Sequence, residues 1–233
     1  MKNITEQENK LFKEWRDSDF IVKDGIVDEQ NFLLTNIKVL VIMKETNDYV
    51  NKEEDLRVFL QNGATWKTWN NIVRWTYALQ NIEKDIDLLW SELSTVNETK
   101  RKNQLSTIGS INLKKRPGGS KTNKSELISE TKKNNEYLKK QLEIYSDLDF
   151  ILCGSRDVAN EVQKNKLLGD IEFKQHKDTY VQIAEAKFNK TLVISYYHPQ
   201  VRGKGSGSKV LFENLIKSVQ DYLSNQDNTF SIL

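Results

Sequence analysis

The stretch VLVIMKETND, residues 39–48, sets the pattern from which the fold is predicted. It joins a compact apolar run (39–43) to an abruptly polar segment (44–48). An apolar run of this length without alternation is typical of a strand buried on both faces of a sheet. Similar units, each with a strand, a polar loop and a helical pattern, have their strands within STIGSINL (106–113), LDFILCG (148–154) and TLVISYY (191–197). This alternation predicts an α/β protein with three α/β/α layers and a central, mostly parallel four-stranded sheet. Residues 170–186 are typical of edge-strand and turn material.

Apolar residues recur at helical spacing before, between and after these strands. The predicted helices cover residues 4–17, 51–63, 64–82, 83–93, 125–147, 155–168 and 210–223. The helix at 64–82 is apolar over most of its circumference, so we expect it to be largely buried. Because no linker divides the chain, we predict a single domain over residues 1–233, with 1–35 as an N-terminal helical extension packed on it.

Composition limits the class of protein. The 233 residues are 29% charged and 37% hydrophobic, which is typical of a soluble globular domain. The net charge is only +2, so an argument for nucleic-acid binding must depend on where the charges cluster. Cys153 is the only cysteine, which excludes an internal disulfide and a multi-cysteine metal site. No apolar run approaches the ~18–20 residues of a membrane span, and we expect a cytoplasmic protein.

The strand ends are where a ligand is expected. In open parallel sheets, ligands bind beyond the carboxyl ends of the strands. Two of the loops that begin there, 114–124 and 198–209, are rich in lysine, arginine and glycine. If both open on one edge, they form a basic rim suited to a phosphate backbone; the alternative is that each loop is simply solvated. The candidate DNA contacts are Lys114, Lys115, Arg116, Lys121, Arg202 and Lys204.

Four short motifs follow one another between residues 37 and 223. They are VLVIMKETND (39–48), INLKKRP (111–117), DFILCG (149–154) and TLVISYYHPQ (191–200). Each motif is weak alone, but their order and spacing together resemble the uracil-DNA glycosylase superfamily. The resemblance implies a glycosylase-like fold and an enzyme that flips a base out of DNA and hydrolyses its N-glycosidic bond.

The resemblance also implies roles for individual residues. Asn112 would read the base, because an amide can both accept from and donate to a base edge. His198 would stabilise the negative charge that develops on the departing base, and Glu45 or Asp48 would position the attacking water. The other candidate base contacts are Thr46, Asn47, Tyr49 and Phe59. The alternative for Asn112 is a hydrogen bond within its own turn, and His198 before Pro199 could be structural.

The expected protein is therefore a monofunctional DNA glycosylase that acts as a monomer, without metal or cofactor. Its partner would be single- or double-stranded DNA bearing uracil or another damaged or modified base. The first motif, KETND (44–48), lacks the glycine and proline of the family. Two alternatives stay open: a catalytically inactive protein of the same fold that binds nucleic acid or a modified base, and an enzyme that acts on free nucleotides or nucleosides.

Overall fold

The computed structural model describes residues 3–15, 21–46, 55–65, 67–119, 122–145, 147–186, 190–201 and 207–226. These residues form one sheet and the helices around it. The strands are β1 (Gly25–Ile26), β2 (Val39–Met43), β3 (Gly109–Asn112), β4 (Phe150–Cys153), β5 (Lys174–Gln175), β6 (Gln182–Glu185) and β7 (Leu192–Ser195). The helices are α1 (Ile4–Glu14), α2 (Glu29–Leu34), α3 (Leu56–Gln61), α4 (Lys67–Gln80), α5 (Ile86–Leu93), α6 (Glu98–Leu105), α7 (Lys124–Lys133), α8 (Asn135–Glu143), α9 (Arg156–Lys164) and α10 (Ser208–Asn225).

The sheet has the order β1-β3-β2-β4-β7-β6-β5 in the described part of the chain. The four strands expected from the sequence, β3, β2, β4 and β7, are its parallel centre. The predicted strand number is wrong, because β1 adds to one edge and β6 and β5 add to the other, all antiparallel to their neighbours. β5 and β6 lie within 170–186, the stretch expected to hold edge-strand and turn material, whereas β1 spans only two residues, too few for a strand pattern to show in the sequence.

Side chains of β2 alternate between two hydrophobic cores on opposite faces of the sheet. Val39, Val41 and Met43 face a core that includes residues of α4, α5 and α10. Leu40 and Ile42 face a second core that includes residues of α1, α7, α8 and α9. All five side chains are buried, which confirms the prediction of a strand covered on both faces. Helices on both faces give the three α/β/α layers.

The helices follow the predicted pattern with two differences. The single helix predicted over 125–147 is divided at Asn134, whose backbone N–H ends α7 and which precedes the first residue of α8. The polar stretch 94–104 was not predicted to be helical, yet most of it belongs to α6, whose first turn is capped by the side chain of Asn97. The 64–82 prediction is confirmed as α4, most of whose side chains are buried.

The N-terminal segment is not purely helical. It contributes α1 and α2, but β1 lies between them and pairs with β3 in the sheet. Leu11 and Phe12 of α1 are buried in the second core. No helix in the described ranges combines the length and the apolar composition that crossing a membrane requires.

Candidate functional site

A cleft of about 780 Å³ opens at the carboxyl ends of the parallel strands. Its walls come from the ends of β2 and β3, from the turn after β7 and from the first half of α4. β2 lies between β3 and β4, so chain order reverses here, which is where open α/β sheets bind ligands. The polar lining residues include Lys44, Glu45, Thr46, Asn71, Arg74, Asn112, His198 and Gln200. Predicted site residues from three distant segments therefore meet around one cleft.

Asn112 is the last residue of β3 and lies beside Met43 of β2. It is only 3% exposed, yet it lines the cleft. Its backbone N–H donates to Asp24 Oδ2 at 2.8 Å, but its side-chain amide forms no hydrogen bond with another described residue. The alternative of an amide bonded within its own turn is thus not seen among the described residues. A side-chain amide of a cleft-lining residue that has no partner among the described residues is available to a ligand.

Thr46 is a second polar group of this kind. Its Oγ1 is buried and has no hydrogen-bond partner among the described residues. Its carbonyl oxygen accepts from the Gly118 N–H at 2.8 Å, which ties the segment after β2 to the segment after β3. The cleft therefore presents a hydroxyl and an amide, both able to donate and to accept hydrogen bonds.

The carboxylate of Glu45 is held in place rather than free. Its Oε2 lies 2.7 Å from Lys114 Nζ, and both side chains are almost fully buried. A Cβ added at Gly118 would overlap the same carboxylate, so the glycine allows the chain to approach Glu45 closely. Glu45 lines the cleft as predicted, but as a member of an ion pair.

His198 follows β7 and lines the cleft with its half-buried ring. Burial lowers the pKa of His198, and the positive charge of Lys44 lowers this pKa further. The neutral ring accepts from the Gln200 N–H through Nδ1 at 3.2 Å, which assigns the remaining proton to Nε2. His198 can therefore donate one hydrogen bond through Nε2.

Helix α4 supports the turn that carries His198. Asn71 Nδ2 donates to the Pro199 carbonyl at 2.8 Å, and Arg74 Nη1 donates to Asn71 Oδ1 at 3.0 Å. Gln200 Nε2 donates to Thr68 Oγ1. Thr68, Asn71 and Arg74 belong to none of the four sequence motifs. They recur every three residues along α4, and that spacing could have marked them as one polar face of the helix.

Two members of the predicted basic rim are buried and ion-paired inside the protein. Lys114 and Lys115 are each only 2% exposed at the side chain. Lys114 pairs with Glu45, and Lys115 Nζ lies 2.7 Å from Asp24 Oδ1. Both side chains point into the protein because carboxylates from distant parts of the chain neutralise them there. They cannot contact DNA in this conformation.

The other predicted residues are placed as follows. Arg116 is exposed. Phe59 lies in α3, where its ring packs on the first core, and it is not among the described residues that line the cleft. Asn47, Asp48, Tyr49, Lys121, Arg202 and Lys204 lie outside the described residues.

Lys44, at the end of β2, is also ion-paired. Its Nζ lies 2.7 Å from Asp157 Oδ2, and Lys124 Nζ lies 3.2 Å from the other oxygen of the same carboxylate. These two lysines lower the pKa of Asp157. Among the described residues, no group of three or more His, Cys, Asp or Glu side chains is arranged to hold a metal ion.

No protein-family model matches the chain, and no curated protein matches it. The function is therefore inferred from the cleft and from the order of the sequence motifs.

Proposed function

We propose that this protein takes a nucleobase of DNA into the cleft and hydrolyses the N-glycosidic bond that joins the base to its sugar. The observation that carries the proposal is Asn112, a buried residue that lines the cleft and whose side-chain amide forms no hydrogen bond with another described residue. The parallel order β3-β2-β4-β7 and the order of the four motifs support a fold like that of the uracil-DNA glycosylase superfamily.

In this proposal Asn112 reads the edge of the base. A carboxamide offers one acceptor oxygen and two N–H donors, so it can pair with a carbonyl and an adjacent N–H of a base. Thr46 Oγ1 provides a second polar contact in the same cleft. A base that cannot satisfy these buried groups leaves them unpaired, and this cost is the source of specificity.

His198 stabilises the departing base. As the glycosidic bond breaks, negative charge develops on the base, and the Nε2–H of a neutral imidazole can donate to it without transferring its proton. The lowered pKa of His198 keeps the ring neutral at physiological pH. The hydrogen bonds from Asn71 and Gln200 hold the turn in place, so little reorganisation is needed during the reaction.

The proposal is tested with DNA duplexes that carry uracil, hypoxanthine, xanthine, a thymine mismatch or a hydroxymethylated base. After incubation with the protein, alkali converts each abasic site to a strand break. We expect breaks at one of these bases, and a loss of roughly a hundredfold or more in rate for Asn112→Ala. Asn81→Ala, which removes an amide just beyond the far end of α4, is the matched control and keeps the rate. Absence of breaks with every base would contradict the hydrolytic reaction.

A second candidate function is base recognition without hydrolysis. The observation that favours it is the Glu45 carboxylate, which is paired with Lys114 and packed against Gly118 and so is poorly placed to orient a water molecule. This candidate predicts salt-sensitive binding to DNA, with log K falling as log[salt] rises, and no abasic product. Binding that survives in His198→Ala but not in Asn112→Ala would support it.

A further inference from the structure

Asp24 is a fully buried carboxylate beside the cleft residue Asn112. It lies immediately before β1, and its Oδ2 accepts the Asn112 backbone N–H at 2.8 Å. It also accepts from Gln141 Nε2 through Oδ1 at 2.9 Å, and its carbonyl oxygen accepts from the same amide at 3.4 Å. One side chain thus joins the segment before β1, the end of β3 and helix α8.

The Asp24 carboxylate lies at a gap in the backbone hydrogen bonds that join β1 and the segment before it to β3. β1 pairs with β3 at Gly25 and Ile26, and the next backbone contact towards the cleft is the Val22 N–H donating to the Lys115 carbonyl. Between these two points the Asn112 N–H faces the side chain of Asp24 instead of a backbone carbonyl. A hydrogen bond from an amide to a carboxylate is shorter and stronger than one to a neutral oxygen.

Lys115 supplies the opposite charge. Its Nζ lies 2.7 and 2.9 Å from the two Asp24 oxygens and donates to Gln141 Oε1 at 2.7 Å. The rings of Phe12 and Trp15 lie 5.8 and 5.3 Å from the same ammonium group, within the range of cation–π contacts. The ammonium group therefore has a counter-ion, a neutral acceptor and two aromatic faces.

We propose that Asp24, neutralised by Lys115 and oriented by Gln141, is the positioning residue that fixes Asn112 for base recognition. A buried ion pair is often no more stabilising than apolar residues of similar volume, so stability alone does not account for charges at this place. Fixing the Asn112 backbone limits where its side-chain amide can lie, and such positioning sharpens discrimination between bases. This inference rests on the function proposed above.

The test uses the double variant Asp24→Asn with Lys115→Met, which removes both charges and keeps the approximate shape. The matched control is Glu8→Gln with Arg57→Met. That pair is also buried, and Glu8 Oε1 accepts the backbone N–H of Ile26 in β1. Neither residue contacts Asn112, and Glu8 acts on Lys115 only through its charge, without a hydrogen bond to it. The first measurement is the amide proton shift of Asn112 by NMR, and the second is the ratio of kcat/KM values for the preferred base and its best competitor.

In the Asp24–Lys115 variant we expect the Asn112 amide proton to move upfield, because its acceptor loses its charge. The base discrimination ratio should fall by about tenfold or more. The Glu8–Arg57 variant should shift the Ile26 amide instead and leave the ratio unchanged. An unchanged Asn112 amide, or an unchanged ratio in the folded Asp24–Lys115 variant, would overturn the inference.

If the double variant does not fold, Asp24→Glu keeps the charge opposite Lys115 but moves the oxygen that Asn112 contacts. The same two changes, in the Asn112 amide shift and in the base discrimination ratio, are then expected.

The inference and the proposed function can fail separately. If the wild-type protein neither cleaves nor binds any of the tested bases, the proposed function is contradicted and the link between Asp24 and base recognition is overturned. An active wild type with an unmoved Asn112 amide in the variants overturns only the positioning role.

Discussion

The two walls of the cleft are held by different kinds of contact. The wall that carries Asn112, here called the ion-paired wall, is fixed by two buried ion pairs, Asp24–Lys115 and Glu45–Lys114. The wall that carries His198, here called the hydrogen-bonded wall, is fixed by amide and hydroxyl groups of α4 that contact the Pro199 carbonyl and the Gln200 side chain.

This difference determines how each wall responds to substitution. Loss of one partner from a buried ion pair leaves an uncompensated charge in the protein interior, which is costly. Loss of one neutral hydrogen bond costs much less. We therefore expect the ion-paired wall to dominate the stability of the cleft. The following predictions test this difference, beginning with the largest expected effect.

Lys115→Met should destabilise the protein by about 3–5 kcal/mol, because Asp24 would stay buried without its counter-ion. The free energy of unfolding is measured by denaturant titration. Lys124→Met is the control, since Lys124 is 68% exposed at the side chain and its pair with Asp157 should contribute less than ~1 kcal/mol. Similar losses of unfolding free energy in the two variants would mean that the buried pair Asp24–Lys115 stabilises the protein no more than an exposed pair does.

Gly118→Ala should destabilise the protein by about 1–3 kcal/mol, because the new Cβ would overlap the Glu45 carboxylate. The same substitution should cost less when Glu45 is already alanine, since the overlapping group is gone. A double-mutant cycle measures this coupling through unfolding free energies. Additive losses would show that Gly118 and Glu45 are not packed together as described.

Asn71→Ala tests the hydrogen-bonded wall. It removes the donor to the Pro199 carbonyl and should cost about 1 kcal/mol of stability. Hydrogen exchange of the Val201 N–H, which donates to the His198 carbonyl, should become faster. Asn81→Ala, which removes a comparable bond to the Tyr77 carbonyl, should leave that exchange rate unchanged. If the Val201 N–H exchanges at the same rate in both variants, Asn71 does not support the turn that carries His198.

Lys44→Met should produce the smallest change, a partial rise in the pKa of His198. Burial is the larger cause of the lowered pKa and remains in the variant, while the repulsion from Lys44 is removed. In the wild type, the unfolded state takes up a proton on His198 first as pH falls below about 6.5, so the folded state loses stability between that pH and the lower native pKa. NMR titration of the ring measures the pKa of His198 in the wild type and in the variant. An unchanged pKa would contradict the repulsion between Lys44 and His198.

Much of the fold could be predicted from the sequence because the central strands carry a strong pattern. VLVIM (39–43) is apolar at every position, which is typical of a strand covered on both faces, and three further strands could be located from their apolar residues and the polar loops that follow them. The two-residue strand β1 could not, because its pairing depends on the neighbouring strand and not on its own residues. The stretch 170–186 indicates edge-strand and turn material, but not the two separate strands β5 and β6 that it holds.

The site was predictable in position but not in its supporting contacts. Asn112 and His198 could be brought together because both follow parallel strands, whose carboxyl ends share one edge. The inward direction of Lys114 and Lys115 could not be predicted, since their partners Glu45 and Asp24 are 69 and 91 residues away in the sequence. A local run of basic residues does not reveal whether distant carboxylates will neutralise it.

The most direct test of the central claim is to observe the side-chain amide of Asn112 by NMR while DNA is added. The DNA carries the preferred base on a 2′-fluorinated sugar, which resists cleavage of the glycosidic bond. We predict that the two Asn112 side-chain N–H signals shift with saturation, and that the shift is absent with DNA of the same sequence carrying only ordinary bases. DNA binding that leaves these signals unchanged would contradict a nucleobase in this cleft.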